Sequence, residues 1–338
     1  MNYWIIIAAM ALSFVLALVL APWILPFLRR LKCSQSILDI GPAWHKETKQ
    51  GTPTIGGLIF IIPTVVVTLI FGIGQMLKGD WRLLICLVFV VLCGIVGFAD
   101  DYVKVVKKRN KGLSVLQKTV PLLVIIALFL GVLHMTNIIG NDIFIPYVNL
   151  YLPLWYFYFL IMIPMLFFFV NSVNLTDGLD GLVTGVSLPY VISFIVVGFF
   201  ADASARDNTG MTVFAAALVG GLAAFLIYNF HPAKVFMGDT GSLFLGAAVV
   251  ALAMAYDMPY FIVIGGVMYL IEGLSVVLQV IYFKLTHGKR LFKMTPIHHH
   301  FEMCKWSEVK IVAVFTAVSA LGCLLALWGM FYFRYFNV

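Results

Sequence analysis

The sequence predicts an all-α membrane protein that crosses the bilayer about ten times. Of its 338 residues, 62% are hydrophobic and only 11% are charged, so the chain is far more apolar than a soluble domain. Apolar runs of about 20 residues, the length that crosses the hydrocarbon core, recur along the whole chain. The polar stretches between these runs are too short for a separate soluble domain. We therefore expect residues 1–338 to form a single integral membrane domain.

Each apolar run defines one predicted span. The spans are predicted at 3–27, 56–77, 82–99, 119–135, 153–171, 181–200, 212–228, 241–256, 260–283 and 310–333. The first run lacks the basic start and the small-residue cleavage site of a removable signal peptide. We therefore expect this run to remain in the protein as a helix.

The positive charges predict the orientation of these spans. The odd-numbered connections carry all but four of the 22 Lys and Arg residues, and the exceptions are Lys78, Arg82, Arg206 and Arg334. Because connections rich in Lys and Arg stay in the cytoplasm, this face is predicted to be cytoplasmic, with both termini outside. The net charge of +7 therefore reflects membrane topology and does not indicate nucleic-acid binding.

One connection on the predicted outer face has a pattern of its own. Residues 137–153, NIIGNDIFIPYVNLYLP, alternate apolar and polar side chains around Gly140, Asn141 and Asp142. This pattern predicts a small outer β-hairpin centred on these three residues.

Five polar clusters fall on the predicted cytoplasmic face. They are KQGTPTIGG (49–57), ADDYVK (99–104), NLTDGLDG (174–181), NFHPAKVFMGDTGS (229–242) and TPIHHHFE (295–302). Even-numbered helices also begin at this face, so their partially positive N-termini point to the same membrane level. Clusters from distant parts of the chain at one level indicate a shared site for an anionic ligand such as a nucleotide diphosphate.

Two adjacent carboxylates, Asp100 and Asp101, follow the third span and precede a basic run. They could simply form a solvated helix end that is balanced by the lysines. Carboxylate oxygens are also the ligands that Mg²⁺ prefers, and a cation would relieve the repulsion between them. Cations in the basic run could then hold phosphates.

The NLTDGLDG cluster contributes Asn174, Asp177 and Asp180. Asp-Gly pairs are ordinary turn formers at the junction of two helices. However, Asp177 and Asp180 are three residues apart at the start of the sixth span, so they are predicted to share one helix face. The glycines of this cluster would let a ligand approach the backbone closely.

The FMGDTGS cluster places Asp239 between two glycines at the start of the eighth span. Thr240 and Ser242 are candidate caps of that helix, and plain capping is the simplest explanation. A helix N-terminus with a glycine-rich backbone beside a carboxylate would also suit a phosphate and its metal.

The histidine loop contains His298, His299 and His300. Three consecutive histidines cannot all face one ion from a regular helix, so we do not expect zinc here. Contacts of one or two histidines with phosphate or sugar are expected, and a plain interfacial loop is the alternative. Glu272 lies near the middle of the ninth span, where an ionisable group is costly and usually functional. Gln279 shares its helix face.

Five ordered motifs resemble one known family across nearly the whole chain. TPTIGG, DDYVK, NLTDGLDGL, FMGDTGSL and PIHHHFE are similar to motifs of the polyprenyl-phosphate N-acetylhexosamine-1-phosphate transferases. The PIHHHFE form resembles the branch that transfers phospho-N-acetylmuramoyl-pentapeptide. Departures are Ile55, where the family often has Met, Ala99, and Lys305, where a Gly commonly precedes the Trp at 306.

The resemblance implies a reaction and its partners. Phospho-MurNAc-pentapeptide would pass from UDP-MurNAc-pentapeptide to undecaprenyl phosphate, giving UMP and the first lipid intermediate of peptidoglycan synthesis, with Mg²⁺ required. The protein would lie in the bacterial cytoplasmic membrane with its active site facing the cytoplasm. The expected partners are both substrates and the lipid bilayer, without nucleic acid, and a homodimer is compatible with this assignment.

The resemblance also assigns site residues. The implied catalytic residues are Asp100, Asp101, Asp239 and His298, and the implied metal ligands are Asn174 and Asp239. The implied uracil pocket consists of Gly178, Leu179, Asp180 and Phe236. The remaining implied substrate-binding residues are Lys49, Thr54, Lys104, Asn174, Asp177, Asn229, Gln279 and His299.

Two alternatives stay open at this point. A sibling transferase would use UDP-GlcNAc, although the histidine loop argues against it. An ion-coupled transporter would place carboxylates near the bilayer midplane, where this chain has only Glu272.

Overall fold

The computed structural model describes residues 3–30, 51–106, 112–201 and 207–336. Its helices are α1 (Tyr3–Arg30), α2 (Leu58–Leu77), α3 (Arg82–Val106), α4 (Val115–Met135), α5 (Phe157–Thr176), α6 (Leu182–Phe200), α7 (Thr209–Asn229), α8 (Gly238–Ala255), α9 (Pro259–Ile264), α10 (Val267–Leu285), α11 (Ile297–Met303) and α12 (Glu308–Phe336). Ten of them, all except α9 and α11, are long and apolar enough to cross a membrane. The predicted number of spans is confirmed.

Helices α7 and α8 form the centre of the bundle and are the most buried of the spans. Helix α8 packs against α3 and α5, while α7 packs against α1, α2 and α6. Small residues allow these close approaches, as is usual between membrane helices. A Cβ atom on Gly97 would overlap the Asp239 carbonyl, and one on Gly57 would overlap the backbone of Gly241. Close packing therefore places the first turn of α8 directly against α2 and α3.

Two of the predicted spans differ clearly from the observed helices. Helix α3 continues to Val106, so Asp100 and Asp101 lie in its last turns rather than after it. The i,i+4 ion pair of Asp100 with Lys104 supports this extension, since a cation near a helix C-terminus is favourable. The ninth predicted span is divided into α9 and α10, because the Gly265-Gly266 pair interrupts the helix.

The predicted hairpin exists, but its turn is elsewhere. Strands β1 (Asp142–Ile145) and β2 (Leu150–Pro153) pair antiparallel, with Asp142 opposite Pro153. The chain reverses through a short 3₁₀ turn, Pro146–Val148, and then Asn149 in the left-handed region at φ 48°. Proline presets the turn and asparagine tolerates the left-handed conformation, so these residues reverse the chain instead of Gly140-Asn141-Asp142.

The hairpin and Asp239 lie at opposite ends of the bundle. The Gly140 amide donates a hydrogen bond to Asp257 Oδ2 at 3.4 Å, just beyond the last residue of α8. Asp239 is in the first turn of α8, whose 18 residues span about 27 Å. The polar clusters therefore gather at the end away from the hairpin.

Candidate active site

Three carboxylates from two helices meet at this end of the bundle. Oxygens of Asp100, Asp101 and Asp239 all lie within 4.8 Å of one another. Asp100 and Asp101 are almost completely buried. Like charges at this separation repel strongly unless cations or hydrogen-bond donors compensate them. The partners of each carboxylate therefore determine what the cluster can do.

Asp101 caps helix α8. Its Oδ1 accepts a hydrogen bond from the Asp239 amide at 3.2 Å, and its Oδ2 accepts from the Thr240 amide at 2.8 Å and the Thr240 hydroxyl at 2.6 Å. A carboxylate at a helix N-terminus satisfies amides that lack partners and complements the dipole. The predicted capping by Thr240 and Ser242 is wrong, because both lie inside α8 and the Ser242 hydroxyl donates to the Gly238 carbonyl at 2.9 Å.

Asp100 organises the chain that follows α3. Its Oδ1 accepts a hydrogen bond from the Leu113 amide at 2.8 Å, and its Oδ2 pairs with the Lys104 ammonium at 2.5 Å. Gly112 adopts φ +62°, and a Cβ there would lie 2.6 Å from Asp100 Oδ1. Only a glycine therefore lets the backbone pass this close to the carboxylate.

Asp239 is held by side chains rather than by backbone amides. Its Oδ2 lies 2.7 Å from Lys104 Nζ and 3.0 Å from Lys118 Nζ, and its Oδ1 accepts a hydrogen bond from Asn174 Nδ2 at 2.8 Å. Asn174 Oδ1 faces Lys118 Nζ at 3.4 Å. Carboxylate and carboxamide oxygens that already surround positive charge are a donor set that fits Mg²⁺.

Lys118 is a site residue that the sequence analysis missed. The predicted span begins at 119, whereas α4 begins at Val115 after a capping box formed by Ser114 and Gln117. Lys118 thus occupies the first turn of α4. A cation in a first turn is unfavourable to the helix dipole. This unfavourable position in the sequence could have indicated that Lys118 pairs with a carboxylate on another helix.

The connection between α5 and α6 approaches this cluster from another side. The prediction that Asp177 and Asp180 share a helix face is wrong, since both precede α6, which begins at Leu182. Asp180 Oδ2 accepts a hydrogen bond from the Ala233 amide at 3.0 Å and contacts His231 Nδ1 at 3.1 Å. Asp180 therefore ties the 177–181 loop to the segment before α8. Leu179 in the same loop is buried.

Asp177 has a strongly altered pKa. Burial raises the pKa of its carboxyl group well above the usual range, and the nearby charges of Asp239 and Asp101 raise it further. A hydrogen bond with the Gly238 backbone opposes this rise. Asp177 thus belongs electrostatically to the same cluster.

Two backbone segments are joined beside the cluster. Asn229, the last residue of α7, accepts a hydrogen bond from the Gly181 amide at 3.1 Å and donates one to the Val235 carbonyl at 3.0 Å. The Phe236 amide donates to the Pro53 carbonyl, and the Gly56 amide donates to the Phe236 carbonyl, both at 2.9 Å. The backbone of the half-buried Phe236 thereby joins the segment that precedes α2 to the segment that precedes α8.

Thr54 lies beside the turn that begins α8. It is buried, and its hydroxyl has no hydrogen-bond partner within the part of the chain that the structure describes. A Cβ on Gly238, which has φ +73°, would lie 2.7 Å from this hydroxyl. Lys49, which was predicted to line the same cleft, lies outside the described residues.

His298 is part of a buried pair that reaches into the membrane region. Its Nδ1 lies 3.1 Å from both carboxylate oxygens of Glu272, and both side chains are completely buried. Its Nε2 faces Gly178, where a Cβ atom would overlap it. The pair therefore packs against the 177–181 loop through His298. Glu272, for which the sequence predicts a functional role, has His298 as its partner.

The other histidines have separate partners. His299 Nδ1 contacts Glu302 Oε2 at 2.6 Å, and His300 Nδ1 accepts a hydrogen bond from the Lys293 amide at 3.2 Å. Gln279 Oε1 accepts from the amides of Leu291 and Phe292 at 3.0 and 2.9 Å. These residues shape the loop that carries α11. The predicted site residues that meet in the carboxylate cluster are Asp100, Asp101, Lys104, Asn174 and Asp239.

Comparison with known proteins gives consistent results. Residues 83–257 match glycosyl transferase family 4. The phospho-N-acetylmuramoyl-pentapeptide-transferase of Listeria monocytogenes is 40% identical over 328 residues, covering 96% of this chain and 98% of that protein. Those of Caldicellulosiruptor bescii and Clostridium botulinum are 42% identical over 321 residues and 43% identical over 320, covering 95% of this chain and 96% and 95% of those proteins. The chain therefore belongs to glycosyl transferase family 4, among its phospho-N-acetylmuramoyl-pentapeptide-transferases.

Proposed function

We propose that this protein transfers phospho-MurNAc-pentapeptide from UDP-MurNAc-pentapeptide to undecaprenyl phosphate and releases UMP. The product is the first lipid intermediate of peptidoglycan synthesis. The names of the relatives support this assignment. The observation that carries it is the Asp239 carboxylate, which lies at the start of α8 in contact with Lys104, Lys118 and Asn174. Phosphoryl transfer requires such cations and helix ends around the phosphates.

The hydrogen bonds of the cluster support the metal ligands that the resemblance implies. Asn174 Oδ1 and the Asp239 carboxylate would hold Mg²⁺, while Asp101 keeps α8 in position through the amides it accepts. When bound, Mg²⁺ neutralises charge on the transferring phosphoryl group. Lys104 also bridges Asp100 and Asp239, and it is expected to contact phosphate oxygens.

The nucleotide is expected to bind beside this centre. Gly178, Leu179 and Asp180 would surround the uracil ring, and Phe236 would stack on it. Asn229 would hold the two parts of this pocket together, because it bonds to the Gly181 amide beside Asp180 and to the Val235 carbonyl beside Phe236. The further residues expected to contact substrate are Lys49, Thr54, Asp177, Asn229, Gln279 and His299, with His298 as a catalytic residue.

The chemical step is expected to be a direct attack. An oxygen of undecaprenyl phosphate would bond to the sugar-linked phosphorus, and the bond between that phosphorus and UMP would break. Asp100 would face the acceptor phosphate. The acceptor is already an anionic nucleophile, so a covalent enzyme intermediate would not make the attack easier.

Isotope exchange tests this step. Protein stripped of undecaprenyl phosphate is incubated with labelled UMP and UDP-MurNAc-pentapeptide. Direct attack predicts no label in the UDP substrate until the acceptor is added. Exchange without acceptor that disappears on replacing one aspartate would instead identify that aspartate as a nucleophile.

The site is expected to face the cytoplasm of a bacterial cell, with both termini outside. The distribution of Lys and Arg supports this orientation, and a soluble nucleotide substrate requires it. A homodimer stays a prediction.

Release of UMP tests the whole assignment. Purified protein in detergent should release UMP only when UDP-MurNAc-pentapeptide, undecaprenyl phosphate and Mg²⁺ are all present. Equal turnover with UDP-GlcNAc would favour the sibling transferase. No UMP release, together with ion-dependent uptake in vesicles, would favour a transporter.

A further inference from the structure

The Lys118 ammonium lies between the two side chains that we assign to the metal. Its Nζ is 3.0 Å from Asp239 Oδ2 and 3.4 Å from Asn174 Oδ1. The amide nitrogen of Asn174 points away from Lys118, because it donates to Asp239 Oδ1 at 2.8 Å and to Ser242 Oγ at 2.7 Å. The Ser242 hydroxyl itself donates to the Gly238 carbonyl. These bonds direct Asn174 Oδ1 toward the ammonium.

The Asp239 carboxylate can exchange its partners more easily than the carboxylates of Asp100 and Asp101 can. Asp101 accepts two backbone amides and Asp100 accepts one, so turning either carboxylate would leave buried amides without partners. The Asp239 oxygens instead contact an amide side chain and two lysines. Lys118 is 21% exposed and has a flexible stem, so its ammonium can move to another anion.

We propose that Lys118 is a counter-cation that competes with the divalent metal for Asp239 Oδ2 and Asn174 Oδ1. The proposal rests on the proposed function, because it takes Asp239 and Asn174 as the metal ligands. An ammonium and a divalent cation cannot occupy the same place between two oxygens. Lys118 must therefore leave these oxygens before a metal binds, and a substrate phosphate is the anion that would receive it. Metal and phosphate thereby favour each other's binding through Lys118.

Binding of Mn²⁺ alone tests the competition. Mn²⁺ is titrated into purified protein in detergent without substrates, and electron paramagnetic resonance measures the concentration of free Mn²⁺. Lys118→Met should bind Mn²⁺ about tenfold more tightly than the unmodified protein, because the competing ammonium is gone. Lys118→Arg keeps a competing cation and should show no such gain. Lys234→Met removes one charge from an exposed position in the segment before α8 and should leave the Mn²⁺ affinity unchanged.

Adding UMP tests the coupling. Saturating UMP should raise the Mn²⁺ affinity of the unmodified protein by a larger factor than that of Lys118→Met. The proposal is overturned if Lys118→Met binds Mn²⁺ equally or more weakly than the unmodified protein, or if neither binds it. Release of UMP from UDP-MurNAc-pentapeptide by the unmodified protein, with undecaprenyl phosphate present, tests the proposed function separately. Either hypothesis can therefore fail without the other.

Discussion

At the scale of single residues, chemically identical groups have different roles because their hydrogen bonds differ. Asp101 and Asp239 are both aspartates of one cluster. Asp101 accepts the amides at the start of α8 and fixes that helix, whereas Asp239 contacts the side chains of Lys104, Lys118 and Asn174. Replacing Asp101 would thus disturb the structure of the site, and replacing Asp239 would change its ion chemistry.

Phe236→Ala should weaken the binding of UMP. Loss of aromatic stacking on a base costs roughly 1–3 kcal/mol, which corresponds to a loss of affinity of about 5- to 150-fold. The backbone bonds of Phe236 to Pro53 and Gly56 do not depend on its ring, so the fold should be retained. Calorimetric titration with UMP measures the effect. Phe98→Ala, at an exposed position on α3, is the control, and an unchanged UMP affinity in Phe236→Ala would remove this ring from the pocket.

Gly178→Ala should destabilise the protein and impair UMP binding. The new Cβ would overlap His298 Nε2, and the His298 ring cannot easily move because Glu272 holds it. Overpacking of this kind typically costs about 1–3 kcal/mol. Gly131→Ala on α4 is the matched control, since nothing lies within 4 Å of its Cβ position. Equal thermal midpoints for the two variants would contradict the close packing of His298 on Gly178.

At the scale of elements, the end of α11 shows a local conflict between sequence and backbone. The Lys305 amide donates to the Glu302 carbonyl at 2.8 Å and the Trp306 amide donates to the Phe301 carbonyl at 3.1 Å, which together form a Schellman motif. The rings of Phe301 and Trp306 pack at 4.7 Å across it. This motif requires a left-handed residue, and the chain has Lys305 there at φ 66°.

Lys305→Gly should therefore stabilise the protein. The left-handed conformation costs an ordinary residue roughly 1–2 kcal/mol, and the greater freedom of glycine in the unfolded chain offsets part of this gain. We expect a net increase in the free energy of unfolding of about 0.5–1 kcal/mol, seen as a higher thermal midpoint in detergent. Cys304→Gly, one residue earlier at φ −92°, should be neutral or destabilising. A lower midpoint for Lys305→Gly would argue against strain at this turn.

Glu272→Ala should be strongly destabilising. Removing the carboxylate leaves the buried His298 Nδ1 without its hydrogen-bond partner inside the bundle, which typically costs about 1–3 kcal/mol. Glu272→Gln keeps a hydrogen-bonding group and should retain more of the stability. Thermal midpoints of both variants measure this order. If Glu272→Ala and the unmodified protein have the same thermal midpoint, the contact between Glu272 and His298 does not stabilise the protein.

At the scale of the whole molecule, the site exists only because distant segments reach one end of the bundle. Asp101 and Thr240 are 139 positions apart, and Lys118 and Asp239 are 121 positions apart. Glycines at helix crossings bring these segments together, and the hairpin lies at the other end. The residues of the candidate site and the hairpin therefore lie at opposite ends of the described bundle.

Labelling in intact cells should show which end faces the cytoplasm. Asn149→Cys, at the exposed turn of the hairpin, should react with a membrane-impermeant maleimide from outside. Lys289→Cys, exposed in the loop before α11, should react only after permeabilisation. The parent protein gives the background from its native cysteines. The reverse pattern would contradict the topology expected from the Lys and Arg distribution.

The sequence by itself determined the membrane helices and the polar segments that contribute to the site. Hydrophobic runs of spanning length and Lys and Arg asymmetry are local properties of the chain, so they can be read without knowing any contact. The five motifs likewise indicated the family without any knowledge of the three-dimensional structure. The division of the ninth span, the length of α3, the start of α4 and the hairpin turn departed from expectation, as did the expected helix face of Asp177 and Asp180.

Only the tertiary structure decided how the site residues are paired. Asp101 caps α8, Lys118 reaches Asp239, and Glu272 holds His298, and none of these contacts joins neighbours in sequence. Thr240 and Ser242 were reasonable caps by local pattern, but a carboxylate from α3 takes that role. The physical reason is that a buried charge must find a partner in space, and helix packing determines which side chains come within reach.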